Sequence, residues 1–195
     1  MQRSSLERMS RRHPQITVHM VAASDGAGES VLHVPLASGS ARTASSTLTP
    51  SAGHAGVRHD VVPVATRTLD DLVGNAPPVS FIKCDVEGHE PAVIRGARRI
   101  LAGSRPALLV EIEQRHRDDD IRGTFSELDA LGYAGFALFP GGLRPVARFD
   151  VDRDQLRFLD GDPFADRALP ADYVRDFLFV PYGSEIIAAF GLDPA

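Results

Sequence analysis

Lysine is all but absent from this chain. Of 21 basic side chains in 195 residues, only Lys83 is not an arginine. Cysteine is equally scarce: Cys84 stands alone, which excludes an internal disulfide and suits a reducing compartment. Positive charge is not in excess, since 26 acidic side chains leave a net charge of -5. That removes the electrostatic footprint of a nucleic-acid binder. Long apolar runs are missing too. The stretch Pro106-Ala-Leu-Leu-Val110 falls far short of the roughly 20 residues that cross a bilayer, so no membrane span is expected. The arginine-rich first turns contain no apolar core and are not a secretory signal. What is present is ordinary: 43% hydrophobic and 24% charged residues, which exclude a disordered, collagen-like or coiled-coil chain. A chain of this length buries roughly 70% of its unfolded surface without a disulfide or metal staple. The expectation is one cytoplasmic domain over residues 1–195.

The lone lysine has two readings. Lysine and arginine exchange freely on surfaces, so its survival is accidental in the first. In the second, the chain keeps one compact ammonium whose pKa responds to burial, at a place where that matters. Lys83 lies in an apolar segment, which favours the second.

Periodicity and punctuation divide the chain. Leu6 and Met9 share one face of a helix that His13-Pro14 ends. Ile16–Val21 alternates and is β-branched, which predicts a strand. Ser24–Gly28 reads as a turn and Ser30–Val34 as a second strand. Residues 37–58 are small and polar, a loop. Asp60–Ala65 returns as a strand with Pro63 marking an edge or bulge, and Thr68–Val73 as a capped helix. Val79–Asp85 is an apolar strand ending in a carboxylate. A helix follows, with Pro91 early and Arg95, Arg98 and Arg99 late, as the orphan amides and the macrodipole favour. Ala107–Glu113 is a further buried strand. Thr124 and Glu127 suggest a capping box, and short strands close the chain at Gly135–Phe139 and Phe177–Val180. Residues 182–195 read as a tail.

Strand and helix alternate here, with continuous apolar strands, which predicts an α/β fold with a parallel sheet covered on both faces. In such sheets ligands bind at the carboxyl ends of the strands. Two successive strands end in acids, Asp85 and then Glu111 and Glu113. Alternation puts Phe81, Lys83 and Asp85 on one face. Of Glu111 and Glu113, one is expected to face the crevice and the other to be solvated. Asp85, Glu87 and Glu90 could also serve merely as cap and dipole groups at the next helix. His89 and His116 titrate near working pH and are candidate bases, although surface polarity explains them as simply. Arg117–Asp120 reads as a solvated loop, and Cys84 as a small buried filler.

Three blocks carry a resemblance: Thr68-Leu-Asp-Asp-Leu-Val73, Phe81-Ile-Lys-Cys-Asp-Val-Glu-Gly-His-Glu90 and Val93-Ile-Arg-Gly-Ala97. In this order they resemble the FkbM-type methyltransferases, with Ala22-Ala-Ser-Asp25, Gly28 and Leu178-Phe-Val-Pro181 extending the similarity over residues 14–181. The resemblance implies a Rossmann-like class I methyltransferase sheet. It also implies S-adenosylmethionine as cofactor, and methylation of a hydroxyl on a sugar, polyketide or lipid intermediate. Under it, Asp85, Lys83, Glu111 and His89 would form the catalytic group. Ala22, Ala23, Ser24 and Asp85 would face the cofactor, and Glu87, Glu113 and His116 the substrate. A divalent metal on Asp85, Glu111 and Glu113 is a further implication.

The chain departs from that pattern at its beginning. The family's first strand, glycine-rich loop, helix and second strand have no counterpart, so an N-terminally truncated sheet with an inserted β-hairpin is expected, and residues 1–13 would be a residual helix. In the parent strand order 3-2-1-4-5-7-6 this bares one edge of Val79–Cys84. Either Ile16–Val21 pairs there, or a homodimer mate or an N-terminal partner covers it. The alternative to an enzyme is a catalytically inactive remnant that acts as a binding or partner-completed subunit.

Overall fold

The computed structural model describes residues 2–37, 40–41, 45–52, 57–159 and 169–193. It is a mixed α/β structure built on two sheets. Helix α1 (Gln2–Arg12) stops before His13-Pro14, as expected, with Leu6 and Met9 left exposed. The strand expected at Ile16–Val21 does not form. Only β1 (Ala22–Ala23) pairs, in parallel with the end of β4 (His59–Arg67). None of the side chains of 16–21 is fully buried, and Met20 remains 45% exposed. Without a buried face, alternation alone does not hold a strand.

β2 (Gly28–Ala37) runs antiparallel to β4, and β3 (Ser40–Ala41) folds back on the end of β2. The first sheet has the order β1-β4-β2-β3. Since β1 reaches only Thr66 and Arg67, Pro63 lies where β4 is an edge, the place proline tolerates. Residues 38–39, 42–44 and 53–56 of the expected loop lie outside the described residues.

The second sheet combines β5 (Phe81–Cys84), β6 (Ala107–Glu111), β7 (Tyr133–Phe139), β8 (Gly142–Pro145) and β9 (Asp176–Pro181) in the order β5-β6-β9-β7-β8. β5 and β6 are parallel, but β9 is antiparallel to both its neighbours, so the sheet is mixed rather than all parallel. One face is fully covered. There Val110, Phe177 and Phe179 pack beneath Ile94, Leu101 and Leu128. The other face is covered only in part, by α7 (Glu185–Ala189), whose Ile186 and Ile187 lie against Phe136 and Val180. The expected tail therefore carries a packed helix. Burying those two isoleucines contributes about 1.5–3 kcal/mol each at most. Over β5 this face is bare, with Phe81 52% exposed, so the expected cover on both faces is absent there. No strand pairs with the outer edge of β5 among the described residues, and Ile16–Val21 does not fill it.

The helices explain the sequence blocks. Thr68 caps α2 (Leu69–Val73) by accepting the Asp71 amide at 3.0 Å. Asp70 then reaches across and accepts the amides of Arg99 and Ile100 at 2.8 and 2.9 Å, fastening the start of α4 (Arg98–Gly103). The single helix expected after Pro91 is two, α3 (Glu90–Arg95) and α4, broken at Gly96-Ala97. A Cβ on Gly96 would stand 2.0 Å from the Ser24 carbonyl oxygen, so at this break the backbone meets the segment that follows β1 too closely for any side chain. The expected capping box is not made. α5 (Arg122–Ala130) begins two residues before Thr124, whose hydroxyl instead accepts Arg117 Nη1 at 2.5 Å inside the protein. Arg117 is buried, so only Asp118–Asp120 of its run are solvated. Asp150 caps α6 (Val151–Asp154) through the Arg153 amide. Among the described residues no helix is long and apolar enough to cross a membrane.

Candidate active site

The site residues expected from the sequence fall into three constellations. The first sits where β5 and β6 end, on the bare face. Lys83 Nζ donates to Asp85 Oδ2 at 3.1 Å and lies 3.7 Å from Glu111 Oε2. Arg175, just before β9, places Nη1 3.5 Å from Glu111 Oε1. Sequence reasoning missed Arg175. An antiparallel neighbour begins where a parallel strand ends, so the charged pair Arg175-Asp176 ahead of an apolar strand was the available signal. Lys83 and Asp85 are nearly half exposed, whereas the Glu111 side chain is 16% exposed. Burial, aided by the charge of Asp85, raises the Glu111 carboxyl to about 7, with Arg175 opposing. Burial would lower the Lys83 ammonium, but the bond to Asp85 and the charge of Glu111 outweigh it, and its pKa is raised.

The second constellation is inside the protein. His116 Nε2 lies 2.7 Å from Glu87 Oε2 and 3.5 Å from Glu113 Oε1, and Arg115 Nη2 donates to Glu113 Oε1 at 2.9 Å. Side-chain exposure is 2% for His116 and 1% for Glu113, so Glu113 is not the solvated member of its pair and His116 is not a surface residue. β6 ends at Glu111, so strand alternation does not govern Glu113, which turns into the interior beyond the strand end. Burial would lower the His116 imidazole, but its bonds to Glu113 and Glu87 raise it and keep it protonated. Burial would raise Glu113, but the bond from His116 and the charge of Arg115 take it well below the carboxylate range. The backbone is shaped to allow this. Glu87 has φ +51° and Gly88 φ +97°, and a Cβ on Gly88 would stand 2.5 Å from the His116 carbonyl oxygen. Glu90 turns back to accept the Gly88 amide at 2.8 Å, a brace of the turn rather than a helix cap. Burial raises Glu90 to about 7.

The third constellation joins the sheets. His89 Nε2 lies 2.9 Å from Ser24 Oγ and His89 Nδ1 2.9 Å from Thr49 Oγ1. Burial lowers its pKa, and both ring nitrogens are engaged. It does not join the group around Lys83.

A metal on Asp85, Glu111 and Glu113 does not fit this geometry. Lys83 stands between the first two, and Glu113 belongs to the inner cluster. The ligand atoms of Glu87, Glu113 and His116 do lie within 4.8 Å of one another. There, however, a cation would have to displace both the imidazolium proton and the Arg115 guanidinium. Nor do Ala22, Ala23 and Ser24 fit a cofactor loop. The Ser24 amide donates to the Arg67 carbonyl, its oxygen abuts Gly96, and the turn leads into β2 rather than a helix start. Asp85 alone of the expected cofactor residues stays on the bare face.

A two-sheet α/β protein with charged side chains gathered at adjacent strand ends is the class this geometry defines. The FkbM methyltransferase domain family matches residues 3–136, over two thirds of the chain, and the protein belongs to that family. Among solved structures, a methyltransferase FkbM from Methylobacillus flagellatus KT is similar, at 18% identity and a TM-score of 0.42. The alignment covers 91% of this chain and 32% of that one, so the chain spans about a third of its length. No curated protein matches.

Proposed function

We propose that the Lys83–Asp85–Glu111 constellation is the acceptor side of an S-adenosylmethionine-dependent O-methyltransferase site, acting on a hydroxyl of a sugar, polyketide or lipid intermediate. The carrying observation is a carboxyl poised near neutrality, Glu111, beside a fixed ammonium at the carboxyl ends of two parallel strands. The cofactor, when bound, supplies the methyl group. The residues of this chain do the rest. Lys83 and Asp85 orient the acceptor oxygen, and positioning of that kind is worth several kcal/mol of barrier. Glu111, ionised above about pH 7, accepts the hydroxyl proton. The strand order β5-β6-β9-β7 agrees with the 4-5-7-6 half of the family's sheet and supports the Rossmann-like assignment. Glu111→Gln is expected to lower methyl transfer from labelled cofactor by roughly 10²-fold or more, and to abolish the rise of the wild-type rate through about pH 7. Unchanged rate and pH profile would overturn the assignment of Glu111.

A second reading is favoured by the open edge of β5 and the unsuitable Ala22–Ser24 turn. It makes the chain a subunit whose cofactor cradle comes from a homodimer mate or an N-terminal partner. Calorimetry separates the two. Heat of S-adenosylmethionine binding to this chain alone supports the first, and heat only after a partner is added supports the second.

A further inference from the structure

A second charged region lies beyond the β7–β8 hairpin. Arg144, Arg148, Arg153 and Arg157 line a cavity of about 410 Å³ together with Asp154 and Asp172. Four guanidinium groups in one hollow run against the acidic balance of the whole chain. Asp154 is already engaged. It takes Arg153 at 2.7 and 2.6 Å and the Asp150 amide at 2.8 Å. Arg153 is tied down further by a bond to the Arg148 carbonyl. That leaves Arg144 and Arg148 without a carboxylate contact among the described residues, while Arg157 acts on Asp154 only through its charge, and Asp172 stands exposed at the rim.

Two of the three are held in place by aromatic rings. Arg144 lies 5.0 Å from the Phe139 ring centre, and Arg157 lies 4.5 Å from that of Phe158. Stacking fixes the plane of a guanidinium while leaving its N–H edge free, so less freedom is lost when an anion is bound. Forked donors of this kind match phosphate oxygens in pairs. The cavity also leads somewhere. Phe139 and Pro140 line a neighbouring cavity of about 530 Å³ that extends past Tyr173 to Arg175 and Asp176, the neighbours of Glu111.

We propose that the Arg144–Arg148–Arg157 hollow binds a phosphate or diphosphate group of the acceptor, whose other end extends along Tyr173 towards Glu111. The path to Glu111 rests on the acceptor-side reading above, but anion binding itself does not. The test is calorimetric titration of the full chain with inorganic pyrophosphate and, separately, orthophosphate, with no methyl donor present. Saturable pyrophosphate binding is expected, weakened at least tenfold in Arg148→Ala and Arg157→Ala. Arg122→Ala, which removes an exposed arginine paired with Asp120 outside the hollow, should leave it unchanged. Tighter binding of pyrophosphate than of orthophosphate assigns the hollow to a diphosphate, and equal binding to a monophosphate. No saturation up to about 10 mM, the range of contacts too weak for recognition, overturns the proposal. So does equal weakening in Arg122→Ala. Failure here leaves Glu111 and methyl transfer untouched, while failure of Glu111→Gln leaves pyrophosphate binding untouched.

Discussion

The two acidic constellations flanking the β5 and β6 strand ends use the same residue types to opposite ends. Around Glu113 the charges are saturated: two carboxylates, an imidazolium and a guanidinium compensate one another in the interior. Around Glu111 a similar set of charges, Asp85, Lys83 and Arg175, stands at the rim of a bare sheet face, and the carboxyl has its proton affinity raised to near neutrality. An enclosed cluster holds a turn in shape, and one beside open surface can be reached by a ligand. The difference comes from burial. Residues 87–90 and 113–116 lie under protein, whereas over Lys83 and Asp85 nothing is packed among the described residues.

The largest expected effect breaks the saturated side. His116→Ala leaves Glu87 without its cation and Glu113 with Arg115 alone, and should cost about 3–5 kcal/mol in urea unfolding. The His116 pKa is raised and that of Glu113 lowered on folding. The cluster's contribution is therefore complete between pH 4.5 and 6.5, fades below 4.5 as Glu113 protonates, and fades above 6.5 as His116 loses its proton. The deficit of the variant should follow that window, and a deficit independent of pH would refute the ion-pair account.

Gly88→Ala attacks the turn that joins the two constellations. With φ +97° and the His116 carbonyl 2.5 Å from the new Cβ, about 2–4 kcal/mol of stability should be lost. An alanine variant as stable as the parent would show that the turn is free to move.

Glu111→Gln sharpens the contrast with opposite sign. A carboxyl raised on folding favours the folded state when protonated, so its stabilising share is lost as pH rises from 4.5 through about 7. Above that, the glutamine variant should equal or exceed the wild type by about 1–2 kcal/mol, discounting for partial exposure. Stability curves that stay parallel across this range would contradict it. The smallest effect belongs to Lys83→Met. A pair that is 43% and 45% exposed contributes at most about 1 kcal/mol, so stability should barely change while methyl transfer falls. A large loss of stability would place Lys83 with the saturated group instead.

Much of this was legible in the sequence. The helix start at Thr68, the apolar strands at 81–84 and 107–111, and Cys84 as filler follow from local rules of capping and patterning. The grouping of Lys83, Asp85 and Glu111 followed from alternation plus the rule that α/β crevices form at strand ends. What local rules missed depended on a distant neighbour. Gly96 meets the Ser24 carbonyl where its helix breaks, Thr124 serves Arg117 rather than a capping box, and Ile16–Val21 finds no strand partner among the described residues.

By itself, then, the sequence determined which residues are apolar, where helices can begin, and that a family motif puts acids at two strand ends. Only the tertiary structure decided which acids are compensated inside the protein and which are left beside open surface. The physical reason is that a charge is set by what surrounds it in space: Glu111 and Glu113 are two residues apart, yet one has its proton affinity raised and the other lowered.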